Sequence, residues 1–503
     1  MTMKRMKQWI TPVFAFVCLA APVVYADTPT NQQEGKTVYS LDFKADQYTE
    51  ETVALDDKTI AYRAYKNIMY VQHPVDTTYQ LLNVFVPVEY YEGKSVGDFT
   101  AETAPIFLKN DIGGYMPALP GDPQMVREDG NANPMPFALS KGYVVVSPGA
   151  RGSASEVNGV FTGKSPAAIV DLKAAVRYLR YNDAVMPGTA EKIISDGTSA
   201  GGALSALLGA SGNDALYEPY LKALGAAETP DHIFATVAFC PITDLEHADM
   251  AYEWLYNRVN DDKDANGKPL YQFTDAQKAL SAELKALYPA YFNSLGLKSV
   301  IDGAALTDAN LEAYIKHFVI AAAQKAMDTK GTDMSGYAWM TISNGKVTDI
   351  DFNAYLSHVT RWQPIKDPPA FDWLGDQSTQ EPRKFGSREN KLFGTETQDV
   401  SVYTDFSAAK LGVTISQELK DRVYLMNAMN FVGKKGVNNA PYWYIRHGSI
   451  DRDTAFPVPV SLYTKLMNVG AAKDVNFDLA WDRPHSGDYD LDELFAWIGS
   501  VCK

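Results

Sequence analysis

The sequence EKIISDGTSAGGALSALLGASGN, residues 191–213, joins a short apolar run, a tight glycine turn and a helix of small residues at Ser199. Residues 197–201, GTSAG, match the pattern G-x-S-x-G, which places its serine on a sharp turn between a strand and a helix. Glycine fits on either side of this serine because the turn needs unusual backbone angles and a close approach of strand to helix. We therefore expect the Ser199 hydroxyl to be exposed at the top of a sheet.

The chain around this turn alternates between strand and helix patterns. Residues 60–70 and 79–90 alternate in polarity, which predicts an opening antiparallel pair of strands. Continuous apolar runs then predict buried strands, and a helical stripe follows at 166–181. The predicted strands cover residues 104–108, 142–147, 193–194, 233–240, 442–446 and 475–481. This rhythm indicates an α/β fold with a mostly parallel, doubly wound sheet covered on both faces.

The strand rhythm is interrupted between residues 242 and 404. Helical patterns appear there at 276–288 and 310–326, and residues 363–397 are rich in proline, glycine and charge. The rhythm resumes near residue 416 with a helix to about 432, and further helices are expected from 457 and at 491–498. We predict a core of residues 27–241 and 405–503, interrupted by a large helical lid at 242–404.

The N-terminus has the features of a signal peptide. Lys4, Arg5 and Lys7 precede an apolar run at 9–24, and small residues near Ala26 suit cleavage. A membrane anchor is the alternative, but the run is short and contains prolines. We predict removal of residues 1–26 and a secreted or periplasmic protein.

The composition excludes several partners and cofactors. The net charge of −15 repels phosphate backbones and anionic lipids, which argues against nucleic acid or a membrane surface as a partner. The mature chain keeps only Cys240 and Cys502, which could pair but do not make a disulfide scaffold. Seven scattered histidines give no zinc cluster, so no metal is predicted. Residues 262–267 resemble half of a calcium loop, but position 273 is phenylalanine, which favours a solvated turn.

A serine nucleophile needs a histidine to take its proton and a carboxylate to orient that histidine. In doubly wound hydrolases these follow in the order serine, acid, histidine. Asp451 and His485 follow two predicted strands in that order, at the edge where sites form in such sheets. Asp453 and Asp244 are alternative acids, and His447 is a less favoured base because it precedes the acid.

Ester hydrolysis also requires hydrogen-bond donors for the developing oxyanion. We expect one to be the backbone N–H of Ala200, directly after the nucleophile, and the second to come from the loop at Gly113 and Gly114. Glycine leaves that backbone unobstructed, although an ordinary turn is the other interpretation of this loop.

Taken together, several motifs resemble the bacterial tannases, the tannin acyl hydrolases of the α/β-hydrolase superfamily, and more broadly the secreted feruloyl-type esterases. They extend in the family's order over nearly the whole mature chain, and together they are far more specific than G-x-S-x-G alone. The motifs are GTSAGGALS at 197–205, CPITDLEHADM at 240–250, Lys366 with PAFD at 369–372, EN with LFG at 389–394, and HG with DRDT at 447–454.

The resemblance implies an α/β-hydrolase fold and a galloyl ester substrate. It matches the nucleophile, acid and base to Ser199, Asp451 and His485. It also implies that Lys366, Glu389 and Asp453 bind the three ring hydroxyls, and compared with the family an insertion is expected at residues 373–388, before Glu389. Carboxylates accept hydrogen bonds from such hydroxyls and an ammonium donates to them, so the chemistry suits these residue types.

The predicted function is therefore a secreted serine esterase that cleaves galloyl esters through an acyl-enzyme, with a small phenolic ester as its partner and no cofactor. A feruloyl or general aryl esterase is the alternative within the same class. A non-catalytic binding protein on a hydrolase scaffold is the alternative outside it.

Overall fold

The computed structural model describes residues 31–33, 36–127, 131–362, 366–373 and 386–503. The predicted signal peptide, residues 1–26, and most of the predicted insertion at 373–388 lie outside these ranges. Within them, no helix combines the length and the apolar character needed to cross a membrane.

A nine-stranded sheet forms the centre of the molecule. The strands run in the order β1-β2-β3-β5-β4-β6-β7-β8-β9. The pairs β1-β2, β2-β3 and β3-β5 are antiparallel. The pairs β5-β4, β4-β6, β6-β7, β7-β8 and β8-β9 are parallel. The predicted opening antiparallel pair and the mostly parallel α/β sheet are confirmed. The strands are β1 Thr49–Leu55, β2 Lys58–Met69, β3 Leu81–Pro87, β4 Pro105–Lys109, β5 Val144–Pro148, β6 Thr189–Thr198, β7 Ala235–Phe239, β8 Tyr442–Gly448 and β9 Asp474–Ala480.

Helices cover both faces of this sheet. They are α1 Pro134–Ser140, α2 Ala167–Tyr181, α3 Ala200–Ala210, α4 Glu218–Ala223, α5 Leu245–Tyr256, α6 Asp275–Ser294, α7 Asp308–Lys330, α8 Phe352–Val359, α9 Arg388–Leu392, α10 Asp405–Leu411, α11 Gln417–Leu425, α12 Pro457–Val469 and α13 Leu491–Val501. The helix predicted to run to about residue 432 ends at Leu425, and a short 3₁₀ turn, Ala428–Asn430, follows it.

The central strands β4, β5 and β7 are mostly apolar because both of their faces are buried. Ile106 and Leu108 of β4 pack in the core that contains α2 and α3. Phe107, the residue between them, belongs to the second core, which contains α1 and α13. Adjacent side chains of one strand therefore serve opposite layers, as the period of two requires.

The segment between β7 and β8 contributes no strand to the nine-stranded sheet in its described part. It contains the two predicted helices, as α6 and α7, together with α5, α8 to α11 and a hairpin of Met340–Ser343 and Lys346–Ile350, which the sequence patterns did not predict. The domain boundaries at 242 and 404 remain a prediction. In the calcium-like turn, the Asp264 carboxylate accepts hydrogen bonds from the backbone N–H groups of Asn266 and Lys268 and so closes the turn itself.

Candidate active site

The turn between β6 and α3 holds Ser199 in a left-handed conformation, with φ 60° and ψ −121°. The Ser199 backbone N–H donates to the carbonyl of Phe239 on the neighbouring strand β7, at 2.9 Å. A Cβ on Gly197 would collide with the carbonyl of Gly201, and one on Gly202 with that of Phe239. Glycine is therefore required by the close approach of strand and helix, as the sequence pattern predicts.

Two loops past neighbouring strands bring a histidine and a carboxylate to this serine. His485, in the loop after β9, has its Nε2 atom 2.8 Å from Ser199 Oγ. Its Nδ1 atom lies 2.8 Å from Oδ2 of Asp451, in the loop after β8. The other Asp451 oxygen accepts the N–H groups of Asp453 and Thr454, at 2.8 and 3.3 Å. The three predicted residues are thus connected by hydrogen bonds in one line.

The electrostatics favour a charged aspartate beside a basic histidine. Burial alone would raise the pKa of Asp451, but His485 and His447 lower it to about 2. Burial alone would lower the pKa of His485, but the carboxylates of Asp451 and Asp453 raise it well above its usual value. The imidazole can therefore hold a proton that it takes from Ser199.

The alternative acid Asp244 is engaged elsewhere. Its carboxylate accepts hydrogen bonds from Asn427 Nδ2 at 2.8 Å and from the Tyr291 hydroxyl, and it lies 2.8 Å from Nδ1 of His247. The alternative acid Asp453 contacts the other side of the His485 ring, 3.4 Å from Nε2.

The alternative base His447 is fully buried and does not contact the serine. Its Nδ1 atom is 3.6 Å from Asp451 Oδ2, and neither ring nitrogen has a hydrogen-bond partner among the described residues. Burial lowers its pKa, and the ring packs edge-on against Phe456. These contacts place His447 in the lining of the site.

The glycine loop after β4 lies against the serine turn. Asn110, which the sequence analysis did not identify, donates from Nδ2 to the carbonyls of Asp196 and Gly201 at 3.0 and 3.2 Å. Gly113 faces open space, whereas a Cβ on Gly114 would collide with the Arg388 guanidinium. Ala200 is the first residue of α3, where backbone N–H groups have no partner within the helix. The loop after β4 therefore lies beside the turn that carries Ala200.

The three residues predicted to bind the ring hydroxyls lie on different segments. Lys366 is buried, and its Nζ is 3.5 Å from Asp453 Oδ1 and 3.5 Å from the centre of the Phe371 ring. The Asp453 carboxylate thus lies between the Lys366 ammonium and the His485 ring, and the three groups form a continuous row. Glu389 lies in the first turn of α9. Burial and the charge of Glu389 raise the pKa of the hydroxyl of Tyr115, which follows Gly114.

Two buried polar networks, both missed by the sequence analysis, hold these segments. The Arg361 guanidinium pairs with both oxygens of Glu253, at 2.7 and 2.6 Å, and donates from Nη2 to the Lys366 carbonyl at 2.7 Å. Both charged side chains are fully buried. The backbone of Lys366 is therefore fixed by an ion pair from α5.

The second network joins Lys366 to the Glu389 helix. Asp249 accepts the N–H groups of Phe371 and Asp372, at 2.7 and 3.0 Å, and Asp372 accepts Nδ2 of Asn390 at 2.7 Å. Burial and the neighbouring Asp372 carboxylate raise the pKa of Asp249 to about 7, and burial raises that of Asp372 to about 6. Asp249 and Asp372 both lie in motifs that carry the family resemblance, but an isolated buried aspartate has no periodic signal, so the network between them could not be predicted.

Cys240 and Cys502, the two cysteines in the described ranges, are buried and free, so they do not pair. In the described ranges, one group of three potential metal ligands lies within 4.8 Å, namely Cys240, Asp451 and His485. Two of these three already take part in the hydrogen bonds to Ser199. The cluster therefore belongs to the site already described.

Comparisons with known proteins place this chain among ester hydrolases. A family model described as BD-FAE matches residues 124–292. A comparison with curated proteins gave no match. The solved structure of Fusobacterium nucleatum tannase is 42% identical, with a TM-score of 0.83, and the alignment covers 92% of this chain and 100% of that chain.

Two further solved structures are similar over the same extent. A tannin acyl hydrolase from Lactobacillus plantarum is 44% identical with a TM-score of 0.83, covering 92% of this chain and 99% of that chain. A tannin acyl hydrolase in complex with ethyl gallate gives the same identity, TM-score and coverage.

Proposed function

The chain belongs to the bacterial tannases, which are carboxylic ester hydrolases, and from this membership we propose that it cleaves galloyl esters with Ser199 as nucleophile. The observation that carries the proposal is the line of hydrogen bonds from Asp451 through His485 to Ser199, each at 2.8 Å. A serine hydroxyl is unreactive at neutral pH unless an oriented imidazole accepts its proton.

The reaction proceeds in two acyl-transfer steps. His485 Nε2 takes the proton of Ser199 as Oγ attacks the ester carbonyl, and Asp451 stabilises the imidazolium through its bond at Nδ1. The N–H of Ala200 and those of the Gly113 and Gly114 loop bind the oxyanion. His485 then protonates the departing alcohol. Water, deprotonated by the same imidazole, releases the acid from the acyl-enzyme and restores Ser199.

The charged groups of Lys366 and Asp453 beside His485, together with the carboxylate of Glu389, support a hydroxylated ring as the acyl group. The carboxylates of Asp453 and Glu389 accept hydrogen bonds from ring hydroxyls, and the Lys366 ammonium donates to their oxygens. An acyl group that lacks hydroxyls leaves the buried Lys366 ammonium and the two carboxylates without partners once the bound ring excludes water, so such an ester is rejected. A similar tannin acyl hydrolase has been solved with 3,4-dihydroxybenzoate, which agrees with this assignment.

Two measurements test the proposal. Ser199→Ala should abolish hydrolysis of methyl gallate while the folded state is retained, and it should also abolish labelling by a fluorophosphonate. A panel of methyl esters whose ring hydroxyls are removed one at a time separates a galloyl hydrolase from a general aryl esterase. Equal rates across the panel would reject the galloyl assignment and leave the nucleophile untouched.

We also propose that the protein is exported, on the basis of its N-terminal sequence alone. Mass spectrometry of the protein recovered outside the cytoplasm should find an N-terminus at Asp27. Recovery of the intact chain from the cytoplasm would reject export.

A further inference from the structure

Two fully buried carboxyl groups connect the nucleophile strand to the histidine loop. Asp196 lies on β6, three residues before Ser199, and Asp488 lies three residues after His485. Lys109 Nζ, also buried, is 2.9 Å from Asp488 Oδ2 and 3.3 Å from Asp196 Oδ2. The two carboxyl groups therefore share one ammonium group directly behind the catalytic line.

This arrangement leaves carboxylate oxygens without hydrogen bonds when both groups are ionised. Both oxygens of Asp196 and Oδ1 of Asp488 are buried and have no hydrogen-bond partner in the described part of the chain. One oxygen of each side chain contacts the same Nζ atom, which makes the two carboxyl groups neighbours, and a hydrogen bond with Asp488 contributes to the raised pKa of Asp196. Two ionised carboxylates so placed repel, whereas one proton between them converts the contact into a strong O–H···O⁻ hydrogen bond.

The charges around the pair agree with a single proton. Arg127 Nη1 is 2.7 Å from Asp488 Oδ2, and Asp111 lies 3.9 Å from both Arg127 and Lys109. One proton between Asp196 and Asp488 removes the repulsion between these two fully buried carboxylates, whose burial without compensation is costly.

The loop that the pair restrains has an unfavourable backbone. Asp482, Asp488 and Asp490 have φ angles of 55°, 54° and 50°, which non-glycine residues rarely adopt. A Cβ on Gly487 would collide with the Thr198 side chain, so the loop is pressed against the residue before the nucleophile. Such a conformation persists only where surrounding contacts fix it.

We propose that Asp196 and Asp488 are positioning residues that share one proton, and that the resulting hydrogen bond holds the His485 loop against the strand of Ser199. The inference rests on the proposed function, because it needs His485 as the base. Burial and the Asp488 carboxylate raise the pKa of Asp196 well above its usual value, and Lys109 opposes them.

The shared proton gives the enzyme a pH dependence opposite to that of the base. The rate rises with pH as His485 loses its proton, whereas loss of the proton between Asp196 and Asp488 frees the loop and lowers the rate. The wild type should therefore show a decline of kcat on the alkaline side. Lys109, Arg127 and Asp111 face the two carboxyl groups, and their charges do not change the direction in which loss of the shared proton alters kcat.

The test compares two replacements of Asp196 on methyl gallate across pH. Asp196→Asn keeps a donor toward Asp488 that cannot ionise, so it should retain kcat within about threefold and lose the alkaline decline. Asp196→Leu has a similar volume and no donor, so kcat should fall about 10- to 100-fold at every pH with KM little changed, as expected for a misplaced catalytic group. Asp488→Asn should also lose the alkaline decline, because its amide donates to an ionised Asp196.

Two results would overturn the inference. One is an asparagine variant at position 196 that loses as much activity as the leucine variant at every pH. The other is an alkaline decline that stays unchanged in both asparagine variants. Fluorophosphonate labelling of Ser199 ranks the same variants without using a galloyl ester. A wild-type protein that is labelled but does not hydrolyse methyl gallate would reject the proposed substrate and leave the inference about Asp196 and Asp488 intact.

Discussion

Replacing Asp453 by asparagine removes one charge from the row that we propose binds the ring hydroxyls, with almost no change in volume. The Asp453 carboxylate is 3.5 Å from Lys366 Nζ and 3.4 Å from His485 Nε2, and 26% of its side chain is exposed. A hydrogen bond to a charged group contributes about 1.5–3 kcal/mol. Loss of this contribution to binding of the ring corresponds to about a 10- to 150-fold decrease in kcat/KM for methyl gallate.

Methyl benzoate has no hydroxyl to lose, so its kcat/KM should change by less than about threefold. The same substitution removes a carboxylate that raises the pKa of His485. Because the base acts when neutral, a lower pKa moves the acid limb of the rate profile to lower pH. The assay is therefore kcat/KM for both esters across pH, with Asp57→Asn on the exposed turn between β1 and β2 as the charge control.

The comparison of the two esters and the pH profile together distinguish a loss of ring binding from an impaired His485. An equal loss on both esters would mean that Asp453 acts only through His485, and it would refute the assigned contact with the substrate. A shift of the acid limb to higher pH would refute the electrostatic reasoning, because removal of a negative charge cannot raise the pKa of an imidazole.

Three other outcomes are expected. Glu253→Gln leaves the buried Arg361 guanidinium without its counter-charge, so the free energy of unfolding in urea should fall by about 3–5 kcal/mol; a loss below about 1 kcal/mol would contradict this. Asp451→Asn should lower kcat about 10⁴-fold, because it favours the wrong tautomer of His485, with stability measured in parallel. Burial raises the pKa of Asp249 to about 7, and the unfolded carboxyl titrates near pH 4, so the free energy of unfolding should fall as pH rises between these values. Asp249→Asn should flatten this slope in urea titrations at several pH values.

Local patterns predicted the sheet well because each strand and turn is indicated by residues that are close together in the sequence. Continuous apolar runs predicted β4 to β9, and the glycines around Ser199 are required by contacts with Gly201 and Phe239, which lie on the turn and on the neighbouring strand. The order serine, acid, histidine also placed the three candidates past the ends of β6, β8 and β9. Those expectations depend on the type and order of the elements along the chain, which periodicity indicates.

Contacts between distant side chains were beyond the sequence patterns. Asp451 and Asp453 are two residues apart and equally acidic, and only the fold shows which one meets Nδ1 of His485. Asn110 donates to a carbonyl 86 residues away, and Arg361 pairs with Glu253 across 108 residues. A buried polar residue has no characteristic spacing, so its partner becomes visible only when the chain is folded.

The two halves of the site are held by different parts of the molecule. Strand ends and the turn glycines position Ser199 and His485, whereas the ion pair of Arg361 positions Lys366 through its carbonyl. A substitution in this ion pair that leaves the protein folded should therefore raise KM for methyl gallate and leave fluorophosphonate labelling of Ser199 unchanged. Parallel losses in both assays would mean that the ion pair of Arg361 and Glu253 supports the chemistry as well as ring binding, and that recognition and catalysis cannot be separated in this fold.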